Sequence, residues 1–200
     1  MYEILKDIYT WSIYSEEKRL NFNGYFIYSR NSTIPNIVID PPFLNNTDLE
    51  QIESLGSVQH ILITNRNHIR WSTKLKEKCN AKISMNFSDE NKANRIGDNY
   101  FNHDEILFDC IKTIVVPDNK SPGETALFWE ERKILFLGDA LIGKPSGAVS
   151  LLPPDKYINI EKAKKGIHVL DKLNFESILL ADGDPILSNG KEAVNNFLIN

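Results

Sequence analysis

The chain has 200 residues, 42% hydrophobic, 25% charged and 10% aromatic, the proportions of an ordinary globular protein long enough for one domain. With 27 acids against 23 lysines and arginines its net charge is -4, and it has no run of five basic residues, so nucleic acid is not an expected partner. Cys79 and Cys110 form no CxxC pair and are expected as reduced core thiols. A basic leader followed by an apolar stretch is missing, and so is any run of about 18 apolar residues, which points to a soluble cytoplasmic protein with no membrane partner.

The first forty residues read as strands. Ile8, Tyr9, Trp11, Ile13 and Tyr14, then Tyr25, Phe26, Ile27 and Tyr28, are β-branched or aromatic, and the turn-prone Asn21 to Gly24 lies between them, which predicts a meander. Asn36-Ile-Val-Ile-Asp-Pro-Pro42 is a short apolar strand that stops at Asp40, because the two prolines cannot continue a ladder. Thr47-Asp-Leu-Glu50 has the spacing of a capping box, with Leu49, Ile52 and Leu55 following at helical intervals as far as Gly56. Val58 to Thr64 is a buried-type strand that ends in a polar knot, Asn65 to Arg70, and a second helix is expected near Ser72 with Leu75 and Cys79 inward.

Lys112 to Pro117, Thr125 to Trp129 and Lys133 to Leu137 are further strands, the last ending at Gly138-Asp139. From Ile160 a helix carries Ala163, Ile167, Leu170 and Leu173 on one face, with Gly166 there allowing close approach and His168 on the solvated side. Phe175 to Ala181 is a final strand ending in Asp182-Gly-Asp-Pro185, and Asn189 to Glu192 opens a C-terminal helix. Strands with polar ends, alternating with one-faced helices, imply sheets covered by helices, with Asp40, Asn65 to Arg70, Glu124, Asp139 and Asp182 collected on one rim.

That order of strand ends resembles the metallo-β-lactamase superfamily. Leu62-Ile-Thr-Asn-Arg-Asn-His-Ile-Arg70 stands where the family has a strand and its THxHxDH run; Ser121-Pro-Gly-Glu-Thr125 is similar to its PGHT segment; and Leu137-Gly-Asp-Ala-Leu141 is similar to its GD(T/A)L strand end. Leu180 to Pro185 occupies the place of the closing GHG-type loop, and Val38-Ile-Asp-Pro41 resembles the early strand ending in aspartate. The resemblance spans most of the chain and implies an α/β four-layer αββα sandwich with mixed sheets, forming a single domain over residues 1–200. It also implies a strand-end pocket that in active members holds one or two metal ions, usually zinc, for hydrolysis of an ester, thioester, lactam or phosphodiester.

Carried over position by position, the resemblance leaves few ligands. Asn65 and Asn67 stand at the first two histidines of the run, Ile69 and Arg70 at its aspartate and third histidine, Glu124 at the PGHT histidine and Asp182 at the last one, so that only Asp139 is retained. Zinc prefers neutral imidazole or thiolate, and no HxH, HxxEH or HExxH spacing exists among the four histidines. Arg70 is always charged and is expected to neutralise the acids Glu124, Asp139 and Asp182 in place of a metal. His68, at the variable position of the run, is read first as a packed residue turned away from the site and second as a general base. His60, His103 and His168 are expected to have no functional role. Trp11, Trp71 and Trp129 are expected in packing, with Trp71 also a candidate for the pocket mouth.

The expected function is therefore that of a divergent family member with no zinc and no cofactor. Its pocket, with Asn65, Asn67, His68, Arg70, Glu124, Asp139 and Asp182 as contacts, would bind a small polar molecule without catalysis. The alternative is a hydrolase using His68 as base, or one Mg, Mn or Ca ion at Glu124, Asp139 and Asp182. GxxxxGK[ST], GxGxxG and GxSxG motifs are absent, and Ser146 has no assignable base.

Overall fold

The computed structural model describes residues 1–30 and 34–199. Seven strands, β1 (Tyr2–Leu5), β2 (Ile8–Ser15), β3 (Leu20–Ile27), β4 (Ile37–Ile39), β5 (His60–Ile63), β6 (Lys82–Asn86) and β7 (Asn99–Phe101), form one sheet in sequence order. It is antiparallel from β1 to β4 and parallel from β4 to β7. A second sheet has the order β12-β11-β10-β9-β8, built from β8 (Ile106–Leu107), β9 (Ile111–Val115), β10 (Thr125–Trp129), β11 (Ile134–Leu137) and β12 (Ser177–Leu180). Only its β11–β12 pair is parallel.

Alternation along the strands sorts the apolar residues into three layers. Tyr25, Ile27, Ile37, Ile39 and Leu62 point to one side of the first sheet and meet Leu127, Trp129, Ile134, Phe136 and Leu179 of the second. Their neighbours Phe26, Val38, Ile61 and Ile63 point the other way, against Leu49, Ile52 and Leu75 of α1 (Asn46–Leu55) and α2 (Ser72–Cys79). On the far side of the second sheet Ala126, Phe128, Leu135 and Leu137 pack on Ile167 and Leu170, and on Val194 of α4 (Gly190–Ile199). Strands buried on both faces have no polar alternation to show, which is why β5, β10 and β11 read as continuous apolar runs. The result is the four-layer αββα sandwich with mixed sheets.

Several local expectations are corrected. Asn21 to Gly24 is not a turn but part of β3, and the reversal falls at Glu16 to Arg19. Gly24 belongs in the strand because a Cβ there would lie 2.5 Å from the Trp11 ring, and Asn23 because its amide donates to the carbonyls of Leu180 (2.8 Å) and Gly183 (2.7 Å). Helix α1 is capped by Asn45, whose side chain accepts from the Asp48 N–H, rather than by Thr47. The helix from Ile160 is α-helical only to Gly166 (α3) and continues as a 3-10 helix over Ile167–Lys172. Cys79 and Cys110 are free but half-buried, at the margins of the core. Among the described residues no helix is long and apolar enough to cross a membrane.

Candidate functional site

The parallel strands β4, β5, β11 and β12 end on one rim, and antiparallel β10 begins there. Asp40, Thr64, Asp139, Asp182 and Glu124 therefore converge from elements far apart in sequence. Asp40 sits in the left-handed region (φ 47°), which aspartate visits more readily than most side chains. Its Oδ1 accepts the Thr64 N–H (2.9 Å), and its Oδ2 accepts the Thr64 hydroxyl (2.5 Å) and lies 2.8 Å from His68 Nδ1. Asn65 caps the short 3-10 turn Arg66–His68, its Oδ1 accepting the Asn67 N–H at 2.8 Å. From outside, buried Asp89 accepts the Arg66 N–H (2.8 Å) and guanidinium (3.1 Å), and Ser121 Oγ donates to the same carboxylate at 2.6 Å. This double anchoring drives His68 inward.

His68 is 2% exposed, with Nε2 3.5 Å from Asp139 Oδ1 and 4.0 Å from Asp182 Oδ1. Asp139 Oδ2 accepts from Lys120 Nζ (2.8 Å) and the Asn67 amide (3.2 Å). Glu124 spends Oε1 on the N–H groups of Asp139 (2.9 Å) and Ala140 (3.1 Å), while Oε2 is buried with no partner among the described residues. Gly138 makes this packing possible, since a Cβ there would lie 2.2 Å from Thr64 Oγ1 and 3.0 Å from Glu124 Oε1. Arg70, itself at φ 41°, pairs with Asp182 Oδ1. Its guanidinium also donates to the carbonyls of Asn23 and Ala181, both at 3.4 Å, and covers the Phe22 ring at 4.6 Å.

Electrostatics follow from this placement. Burial and the Arg70 charge both oppose an imidazolium, yet the carboxylates of Asp40 and Asp139 outweigh them and raise the His68 pKa to about 10. Burial alone would raise Asp139, but His68 and Lys120 hold it well below the usual carboxylate range. Burial, and next the Asp139 charge, push Glu124 well above its ordinary value. The rim's placement thus favours the charged form of the imidazole and the ionised form of Asp139, while burial favours the protonated form of Glu124 beneath.

Above it lies a cavity of about 930 Å³. The β2–β3 hairpin supplies Lys18, Leu20 and Phe22 to one wall. Ile142 and Lys144 come from the loop after β11, and residues 151–156 complete the lining. Of the sequence candidates, Asn67, His68, Arg70, Asp139 and Asp182 line this cavity, whereas Asn65 and Glu124 lie under it, bound to backbone.

Two expectations fail. His68 does not turn away but is the hub of the rim, because the Asn65 cap and the Asp40 acceptor fix its orientation. Trp71 does not reach the cavity and packs edge-on against Phe43 at 5.8 Å. The acids expected together also divide differently. His68, Asp139 and Asp182 bring one ligand atom each within 4.8 Å of one another, the grouping best placed to hold a metal ion, and Glu124 is not of that set. Sequence reasoning missed Lys120, Asp89 and Thr64. Lys120 alone left a signal, standing just before the Ser121-Pro-Gly-Glu124 segment.

Two mixed sheets face to face, helices outside, and a polar rim at the strand ends define the αββα sandwich class. A family model described as the metallo-beta-lactamase superfamily matches residues 4–199, and the chain belongs to that superfamily. Among solved structures it is similar to a metallo-beta-lactamase from Hirschia baltica (TM-score 0.76, 12% identity, covering 99% of this chain and 95% of that one). It is also similar to one from Pontibacter korlensis (TM-score 0.75, 10% identity, 100% and 98% covered). A third is a metallo-beta-lactamase family protein from Thermus thermophilus (TM-score 0.68, 16% identity, 97% and 79% covered). At such identities the likeness speaks for the fold alone. No curated protein matches the chain.

Proposed function

We propose that this chain uses the superfamily's pocket to bind a small polar molecule, and that an internal network of protein charges stands where relatives keep zinc. The observation that carries this reading is the Arg70–Asp182 ion pair: the Asp182 oxygen nearest His68 is already bound by a guanidinium. Zinc takes three or four ligands, chiefly neutral imidazole or thiolate. The rim offers one imidazole, and its two neighbouring carboxylates each hold a cation, Lys120 on Asp139 and Arg70 on Asp182. The residues present do not fit the family's zinc centre. The carboxylates of Asp40 and Asp139 on either side of His68 favour its charged form, which suits a hydrogen-bond donor better than a general base.

A second reading, a hydrolase of esters, thioesters or phosphodiesters, is favoured by the convergence of His68, Asp139 and Asp182 within 4.8 Å. The Asp40–His68 bond would orient Nε2 toward an ion, as partners of metal-bound histidines do. An ion there would supply Lewis acidity.

Elemental analysis of protein purified without chelator, with melting curves with and without EDTA, separates the two. Metal-free protein with an EDTA-independent melt supports the binding reading. Stoichiometric metal and a chelator-sensitive melt overturn it.

A further inference from the structure

Asp139 is served by donors from two directions. Asn67 Nδ2 (3.2 Å) and His68 Nε2 (3.5 Å) reach it from the 3-10 turn Arg66–His68, which follows β5 of the first sheet. Lys120 Nζ (2.8 Å) reaches it from the loop between β9 and β10 of the second sheet. A lysine stem is flexible and a single 3-10 turn is short, so neither fixes its own geometry.

Asp89 holds both turns from behind. Its side chain is fully buried and, unlike the three donors, is not among the residues that line the cavity. Toward the first turn it accepts the Arg66 N–H at Oδ2 (2.8 Å) and the Arg66 guanidinium at Oδ1 (3.1 Å). Toward the loop of the second sheet it accepts the Ser121 hydroxyl, 2.6 Å from Oδ1 and 2.5 Å from Oδ2, and the Gly123 N–H at Oδ1 (3.3 Å). Glycine is needed at 123, because a Cβ there would lie 2.6 Å from Asp89 Cγ. Asp89 is itself placed by a 3-10 turn that Asn86 caps, its Oδ1 accepting the Ser88 N–H at 2.9 Å. Arg66 precedes Asn67 and Ser121 follows Lys120, so the carboxylate that grips one residue of each pair sets its neighbour at the rim. Charge-assisted bonds in a buried network make that grip a stiff one.

We propose, resting on the binding reading above, that Asp89 is the positioning residue of the pocket: without touching the cavity, it sets where Asn67, His68 and Lys120 meet Asp139, and so fixes the polar end that a ligand encounters. Loss of its charge lets the two sheets' turns move independently, and the donors leave Asp139 together.

The test is nuclear magnetic resonance of the whole chain, its metal content measured, at mildly acid pH and well below the melting temperature. The His68 ring nitrogens are assigned by His68→Gln and the Lys120 ammonium, visible only while a hydrogen bond slows its exchange, by Lys120→Met. In Asp89→Asn the Lys120 signal is expected to vanish and both His68 nitrogen signals to shift. Leu170→Ala, in the far layer of the core, is expected to lower the melting temperature and leave all three signals in place. Parental signals in Asp89→Asn, or signals moved as far by Leu170→Ala, overturn the inference, since Asp89 then acts on stability alone. Ser121→Ala cuts the grip on one turn only and decides the matter if Asp89→Asn does not fold: a lost Lys120 signal supports the inference and an unchanged one overturns it. Metal-free protein with unmoved signals sinks the inference alone, whereas stoichiometric metal whose removal moves the parental His68 signals sinks the underlying reading.

Discussion

His68 Nδ1 lies 2.8 Å from Asp40 Oδ2, and both side chains are buried, so the imidazole is bound to the end of β4 while its other nitrogen faces the end of β11. One ring thereby ties the two sheets together at the rim.

Removing the acid of that pair leaves a buried imidazole without its acceptor. Asp40→Ala is expected to destabilise by about 3 kcal/mol, lowering the melting temperature on the order of 10 °C. Asp40→Asn keeps an oxygen for the Thr64 N–H and should lose less. Thermal denaturation of both variants checks the order.

The same network sets a pH dependence. A folded-state His68 pKa of about 10, against an ordinary value of 6.5, contributes stability that is fully present below about pH 6.5 and is lost as pH rises through about 10. Glu124 has the same sign, because a carboxyl held above its ordinary value favours the fold only while protonated. Melting temperature should decline between pH 6.5 and 10, and His68→Gln should flatten that decline. An equally steep alkaline limb in the variant would remove His68 from the account.

Glu124 allows a separation of charge from hydrogen bonding. Gln at this position keeps an oxygen for the Asp139 and Ala140 N–H groups, and is expected to be within about 1 kcal/mol of the parent at pH 7. Ala leaves both amides unpaired and should cost about 2–4 kcal/mol. Urea unfolding of the two variants gives the comparison.

Arg70 pairs with Asp182, donates to two backbone carbonyls and covers Phe22. Arg70→Ala should therefore destabilise by about 2–3 kcal/mol, and Arg70→Lys should restore only part of it, since an ammonium cannot reproduce the planar fork. Full rescue by lysine, read from melting temperatures, would reduce the residue's role to charge alone.

Much of the sandwich was legible because strands buried on both faces spell themselves out: Ile61-Leu-Ile63, Thr125 to Trp129 and Ile134 to Leu137 admit few other readings. β6 was not foreseen, because Ser84 and Asn86 interrupt its apolar run, and Asn86 is buried with its amide bonded to Thr125 Oγ1 and the Ser88 N–H. β3 was half seen, since Asn23 and Gly24 satisfy partners in β12 and β2 that no local rule reveals. In the site, strand-end acids were visible as a set, but the inward turn of His68 depends on Asp89 and Ser121, both distant in sequence. Which acid pairs with which cation is a tertiary property that spacing does not encode.

The central claim is that protein cations, not zinc, complete this rim. Anomalous diffraction at the zinc edge from crystals grown with zinc tests it directly. The account predicts Arg70 on Asp182, His68 between Asp40 and Asp139, and no anomalous peak in the cavity; a zinc peak bonded to His68, Asp139 and Asp182 with Arg70 displaced would contradict it.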